Sequence, residues 1–122
     1  MFDDHSPIYR QIAERIKSDI LSGALAEDTQ VMSTNEYAAT YRINPATAAK
    51  GLRELLDAGI LYKRRGIGMF VSPDARAKLR DTHRERFFTD VVDPMISEAH
   101  TIGIPLDDVV GHIKAAETGE QQ

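Results

Sequence analysis

Residues 33–71 read STNEYAATYRINPATAAKGLRELLDAGILYKRRGIGMFV, and the punctuation of this stretch decides the fold. Ser33-Thr34-Asn35-Glu36 puts Ser at a helix N-cap and Glu three residues on, the reciprocal pattern of a capping box. A short helix to about Tyr41 follows, burying Tyr37, Ala38 and Tyr41, and Arg42 and Ile43 must make the turn after it. Asn44-Pro45 then opens another helix, since Asn caps well and Pro suits the first helical position. Ala48, Leu52, Leu55 and Leu56 fall at i, i+4, i+7 and i+8, which is one buried stripe. Gly59 is placed to end this helix. Ile60–Arg64 and Met69–Ser72 are β-rich runs around Arg65-Gly66-Ile67-Gly68, which predicts a hairpin closed off by Pro73.

Upstream, Ser6-Pro7 predicts an N-cap and first turn for a helix over 7–22. Its apolar stripe is Ile8, Ile12, Ile16 and Ile20, widened by Ala13 and Leu21 and stopped by Gly23, with a connector over 24–32. Downstream, Asp74 to Ile102 is helical in pattern, and Pro94 inside it should kink or split the helix. Gly103-Ile104-Pro105 is a turn. Leu106, Val109, Val110 and Ile113 then fit i, i+3, i+4, i+7, and the tail from Thr118 is polar. The expected fold is mainly α with a small β-hairpin. Residues 1–73 form a winged helix-turn-helix, followed by a C-terminal helical hairpin over 74–122.

The chain has 122 residues, 42% hydrophobic and 28% charged, a globular balance that excludes a disordered tail or fibrous repeat. With no cysteine, disulfide scaffolds, thiol catalysis and cysteine-based zinc sites are excluded. No apolar run approaches the roughly 18 residues that span a bilayer. The acidic, polar start MFDDHSPIYRQ is unlike a signal peptide, so the expectation is a cytoplasmic protein with no membrane partner. His83, His100 and His112 fit no compact metal-ligand spacing. No Ser/His/Asp set or paired carboxylates stand out, so neither catalysis, metal nor cofactor is expected.

The net charge is −4, but its distribution is uneven. Residues 42–65 hold Arg42, Lys50, Arg53, Lys63, Arg64 and Arg65 against only Glu54 and Asp57, a local +4. Local sign matters more than the total for binding a polyanion. Ala46, Thr47 and Lys50 lie on the exposed side of the helix from Pro45, at the end that a recognition helix pushes into the major groove. Lys50 can reach a phosphate or a guanine edge, Thr47 an edge or phosphate, and Ala46 a thymine methyl. The free N–H groups at both helix starts favour phosphate. Arg64 and Arg65 lead into a Gly66-Ile67-Gly68 tip that can approach DNA closely. Without a following Lys-Ser/Thr, that tip reads as a hairpin turn rather than a phosphate-cradling loop. The expected DNA-contacting set is Ser33, Thr34, Asn35, Arg42, Asn44, Pro45, Ala46, Thr47, Lys50, Arg64, Arg65, Gly66 and Gly68.

Residues 7–71 also resemble the N-terminal domain of the GntR family of bacterial transcription regulators. The matching pieces are Pro7-Ile8-Tyr9-x-Gln11-Ile12, Ile20-x-x-Gly23-x-Leu25, Ser33-x-x-Glu36-x-Ala38, Asn44-Pro45-x-Thr47, Leu52-x-x-Leu55-x-x-x-Gly59-Ile60-Leu61, and Arg65-Gly66-x-Gly68-x-Phe70-Val71. The resemblance implies a dimeric DNA-binding repressor or activator controlled by a ligand. Departures from the family pattern are Val31-Met32-Ser33 for Leu-Pro-Ser, Asn35 for an Arg that touches DNA, Arg42 for the turn Gly, and Ala49 for the Arg of the recognition helix. Two family arginines are thus absent, and Arg42 or Lys50 is placed to compensate electrostatically. Asn44-Pro45 and the short tail resemble the YtrA-like subgroup.

The 49 residues of 74–122 are expected to be too few to enclose a sugar or fatty acid within one chain. Two helices joined by a three-residue turn cannot bury both apolar stripes by themselves. Phe88, Val92, Met95, Ala99 and Ile102, with Leu106, Val109, Val110 and Ile113, are therefore the expected homodimer contacts, and a two-fold dimer matches an inverted-repeat operator. The expected partners are an operator in double-stranded DNA, a second copy of the chain and a small-molecule effector. The effector is expected between domains or across the dimer, neither domain being large enough for a pocket of roughly 300 Å³. The rival reading is a winged helix that binds protein and not DNA.

Overall fold

The computed structural model describes residues 6–119, so the acidic start of the chain and the end of the polar tail lie outside the described residues. The elements run α1 (Ile8–Ser22), α2 (Thr34–Tyr41), α3 (Pro45–Asp57), β1 (Leu61–Arg64), β2 (Gly68–Val71), α4 (Ala75–Phe87), a π-helical turn (Phe88–Val92), α5 (Asp93–Thr101) and α6 (Leu106–Thr118). They are mainly helical with one antiparallel hairpin.

α1 and α2 both pack on α3. Ile12, Ala13, Ile16 and Ile20 of α1 meet Tyr37 and Ala38 of α2 and Ala48, Leu52 and Leu55 of α3 in one core. Each fully buried Ile or Leu contributes about 1.5–3 kcal/mol. Ile8 stays exposed, and Tyr41 and Leu56 are half-buried. The α1–α3 approach is close because Gly51 has no side chain: a Cβ there would lie 2.7 Å from the Tyr9 carbonyl oxygen.

The capping box forms. Ser33 Oγ accepts the Glu36 N–H and Glu36 Oε1 accepts the Ser33 N–H. At α3, Asn44 Oδ1 accepts the Ala46 N–H at 2.7 Å and Pro45 occupies the first turn. At α1 the cap shifts by one residue. Pro7 itself is the N-cap, with an extended ψ of 145°, and its carbonyl takes the Arg10 and Gln11 N–H groups. Ser6 instead gives its carbonyl to the Gln11 side chain.

In the hairpin, Leu61 pairs with Val71, Tyr62 with Phe70, Lys63 with Met69 and Arg64 with Gly68. The connector before α2 is more than a link. The N–H groups of Asp28 and Val31 bond to the Val71 and Met69 carbonyls, and Val71 N–H bonds to Thr29, so the connector runs along β2. From β1, the Tyr62 OH donates to the Asp28 carboxylate of this connector.

The chain packs as two units, dividing after Asp81 inside α4. This lies past Pro73 because Ala75 and Leu79 of α4 are buried in the core of the first unit. In the second unit, Pro94 sits in the first turn of α5. Lacking an N–H, Pro94 cannot bond one turn back. The chain meets it with a π-helical turn, in which the Asp93 N–H bonds to the Phe88 carbonyl. The expected long helix is accordingly split. Gly103 and Pro105 then turn the chain into α6. Among the described residues of this unit only Ala99 is buried.

Candidate nucleic-acid interface

Local geometry sets the expected DNA-contacting residues in three groups. The first is the start of α2. The Ser33 side chain is occupied by its capping box, while Thr34 is half-buried and Asn35 exposed. The carboxyl of Glu36 is held below its ordinary value of 4.5, first by the Ser33 N–H and then by the Ser33 hydroxyl.

The second group surrounds the α2–α3 turn. Arg42 makes it with φ 56° and ψ 50°, a left-handed conformation at a non-glycine residue. Asn44 spends its side-chain oxygen on the α3 cap, leaving Pro45 and Ala46 exposed and Thr47 half-buried. Lys50 is exposed at its helix position, but its Nζ lies 4.1 Å from the centre of the Tyr9 ring. Such a cation–π contact is worth about 0.5–1 kcal/mol at an exposed site. Lys50 is therefore held against α1, and a DNA contact by it competes with that ring.

The third group is the wing. The Arg64 guanidinium lies 5.0 Å from the centre of the Phe70 ring, on the strand pair. Arg65 and Gly66 are exposed at the turn, where the Ile67 N–H closes back on the Arg64 carbonyl. Gly66 has φ 77°, which favours glycine. Gly68, with φ 148°, is likewise in a conformation that L side chains rarely adopt, and a Cβ there would also meet the Gln30 amide, which bonds to the Ile67 carbonyl.

A groove of about 420 Å³ joins parts of these groups. It is lined by Ser33, Thr34 and Asn35, by Ala49, Leu52, Arg53 and Leu56 of α3, and by Lys63, Ile67, Gly68 and Met69 of the wing, with Gln30 and Val31. Ser33, Thr34, Asn35 and Gly68 are thus brought together. Arg42, Asn44, Pro45, Ala46, Thr47, Lys50, Arg64, Arg65 and Gly66 do not line it. Arg53 and Lys63 lie outside the DNA-contacting set expected from the sequence, although both belong to the basic block and Arg53 lies on the exposed arc of α3. Ile67, 62% exposed at the wing tip, lies outside it too.

The groove corrects the size expectation for an effector, since it lies wholly in the first unit and exceeds roughly 300 Å³. A second groove of about 380 Å³ lies wholly in the second unit, between α5 and α6, with Met95, Ala99, Ile102, Ile104, Val109 and Ile113 on its walls. Of the expected dimer contacts, Phe88, Met95, Ile102, Leu106, Val110 and Ile113 are exposed, and Val92 and Val109 are half-buried. Ala99 is already buried within the chain and has little surface to give a partner. Phe87, Val91 and Ile104 are further exposed apolar residues outside that set. Among the described residues no three metal-ligating side chains come together, and no helix is long and apolar enough to cross a membrane.

The bacterial regulatory proteins, gntR family, match residues 8–71, from the start of α1 to the end of β2. The HTH-type transcriptional repressor NagR of Bacillus subtilis (strain 168) is 41% identical over 66 residues, covering 54% of this chain and 27% of NagR. The HTH-type transcriptional repressor YtrA of the same organism is 29% identical over 109 residues, covering 89% of this chain and 83% of YtrA. Among solved structures, a GntR family transcriptional regulator from Listeria monocytogenes superposes with a TM-score of 0.75 at 28% identity, over 93% of this chain and 97% of that one. The DNA-binding domain of AraR, solved in complex with operator ORX1, superposes with a TM-score of 0.55 at 28% identity, over 59% of this chain and 93% of that one.

Proposed function

The chain belongs to the gntR family of bacterial regulatory proteins, and from that premise we propose that it is a sequence-specific transcription regulator. It acts as a repressor in the cytoplasm, gripping an inverted-repeat operator as a homodimer. The observation that carries this reading is the exposed start of α3 together with a cationic wing, both inside the matched segment. Ala46 and Thr47 are free to approach base edges in the major groove, and Arg65 reaches the backbone from the wing. The contacting set is the one expected from the sequence, with Ser33, Asn44 and Gly68 acting through backbone geometry as caps and close packing.

Dimerisation belongs to α5 and α6. A helix pair that leaves Ile102, Leu106, Val110 and Ile113 in water has an apolar face suited to a second copy. A small-molecule effector is part of the reading as the signal that alters DNA affinity, and either groove is large enough to hold one. This is a binding protein, and no reaction step is assigned to it.

The test is a binding titration on operator and scrambled duplex. Specific affinity should exceed non-specific affinity by about 10³-fold or more. Equal, salt-insensitive affinity for both would favour the winged helix as a protein-binding module.

A further inference from the structure

We propose that Arg53 and Lys63 close on one DNA phosphate strand across the groove between α3 and the wing, a second anchorage beyond the start of α3. The inference rests on the DNA-binding reading above.

Four observations carry it. Arg53 and Lys63 are exposed and line the same groove from two different elements, one on α3 and one on β1. No Asp or Glu lines that groove, so its two positive charges are unopposed there. Among the described residues neither Arg53 nor Lys63 has a hydrogen bond, an ion pair or a ring contact, whereas Lys50 and Arg64 lie over Tyr9 and Phe70. Finally, a long helical side chain leans toward the N-terminus over the preceding turn. For Arg53 that turn presents Ala49, whose methyl leaves the groove open to the guanidinium.

The occupant follows from charge and continuity. Two exposed, unpaired cations over an apolar floor of Leu52, Leu56 and Met69 suit a linear polyanion running along the surface. The groove adjoins the proposed DNA face through Asn35 and the wing residues, so a strand engaged at the start of α3 can continue into it. A guanidinium gives a forked pair of hydrogen bonds to phosphate oxygens and an ammonium a point charge.

The experiment is a fluorescence-anisotropy titration of the full chain on a labelled mixed-sequence duplex over a salt series. Arg53→Gln and Lys63→Gln should each flatten the slope of log affinity against log salt by about 0.9, the value of one lost phosphate contact, and the double variant by about twice that. Arg53→Lys should recover most of the slope. Lys63→Gln lies on the hairpin and reads the same clamp should Arg53→Gln disturb α3. Arg65→Gln is the control for DNA binding itself. If Arg65→Gln flattens the slope while Arg53→Gln and Lys63→Gln leave slope and affinity at wild-type values, the clamp is overturned and the DNA-binding reading stands. If the wild-type chain binds no duplex at any salt, both fall together.

Discussion

Arg42 turns the chain from α2 into α3 with φ 56°, where an L side chain pays about 1–2 kcal/mol that glycine does not. Part of the gain from glycine is offset by its freer unfolded chain. Arg42→Gly should therefore stabilise the fold by about 0.5–1 kcal/mol, read as a higher urea midpoint with an unchanged m-value. Gly51 is the opposite case. Its Cβ would press on the Tyr9 backbone oxygen at 2.7 Å, and backbone cannot swing aside. Gly51→Ala should destabilise by about 1–3 kcal/mol, and no loss of midpoint would contradict the close α1–α3 approach. Glu36 adds a pH dependence of known sign. Its carboxyl is held below 4.5 by the Ser33 N–H, while in the unfolded chain it titrates at its ordinary value. Its contribution is full above that value and is lost as pH falls through the lower, folded value. Replacing Glu36 by Gln should flatten this acidic limb in urea melts. A limb of wild-type steepness would remove Glu36 as its source.

At the scale of elements, what the sequence told was whatever is written within one helix turn. The α2 capping box, the Asn44-Pro45 start, the glycine after α3 and the glycines of the wing all announce themselves by local residue chemistry. What it could not tell was long-range. Nothing local to Lys50 reveals a Tyr9 ring 41 residues earlier, and nothing in residues 28–31 reveals that they run along β2. Pro94 signalled a break, but the π-helical turn that absorbs it depends on how the flanking helices must continue. The cationic groove was half legible. Arg53 and Lys63 were in view as charges, and only the folded hairpin sets them facing one space. The division of labour between α3 and the wing is testable. Thr47→Ala should cost about 1–3 kcal/mol of specific affinity and little non-specific affinity. Arg65→Ala should lower both and flatten the salt slope by about one unit. Titrations on operator and scrambled duplex separate the two, and equal losses in both variants would erase the distinction.

For the whole molecule, the central matter is whether one copy suffices. The described part of the second unit buries Ala99 alone while Ile102, Val110 and Ile113 are exposed, the apolar face that the proposed dimer would cover. Ile113→Asp adds a solvated carboxylate in the monomer but a desolvated, unpaired one in a dimer, a cost of several kcal/mol. Light scattering should show a folded monomer for Ile113→Asp and a dimer for the wild type. The most direct test of the account as a whole is selection of bound duplexes from a random-sequence library by the wild-type chain. The account predicts one recovered consensus made of two inverted half-sites, their centres about one helical turn apart or a multiple of it. Recovery of sequences no different from the input library would contradict it.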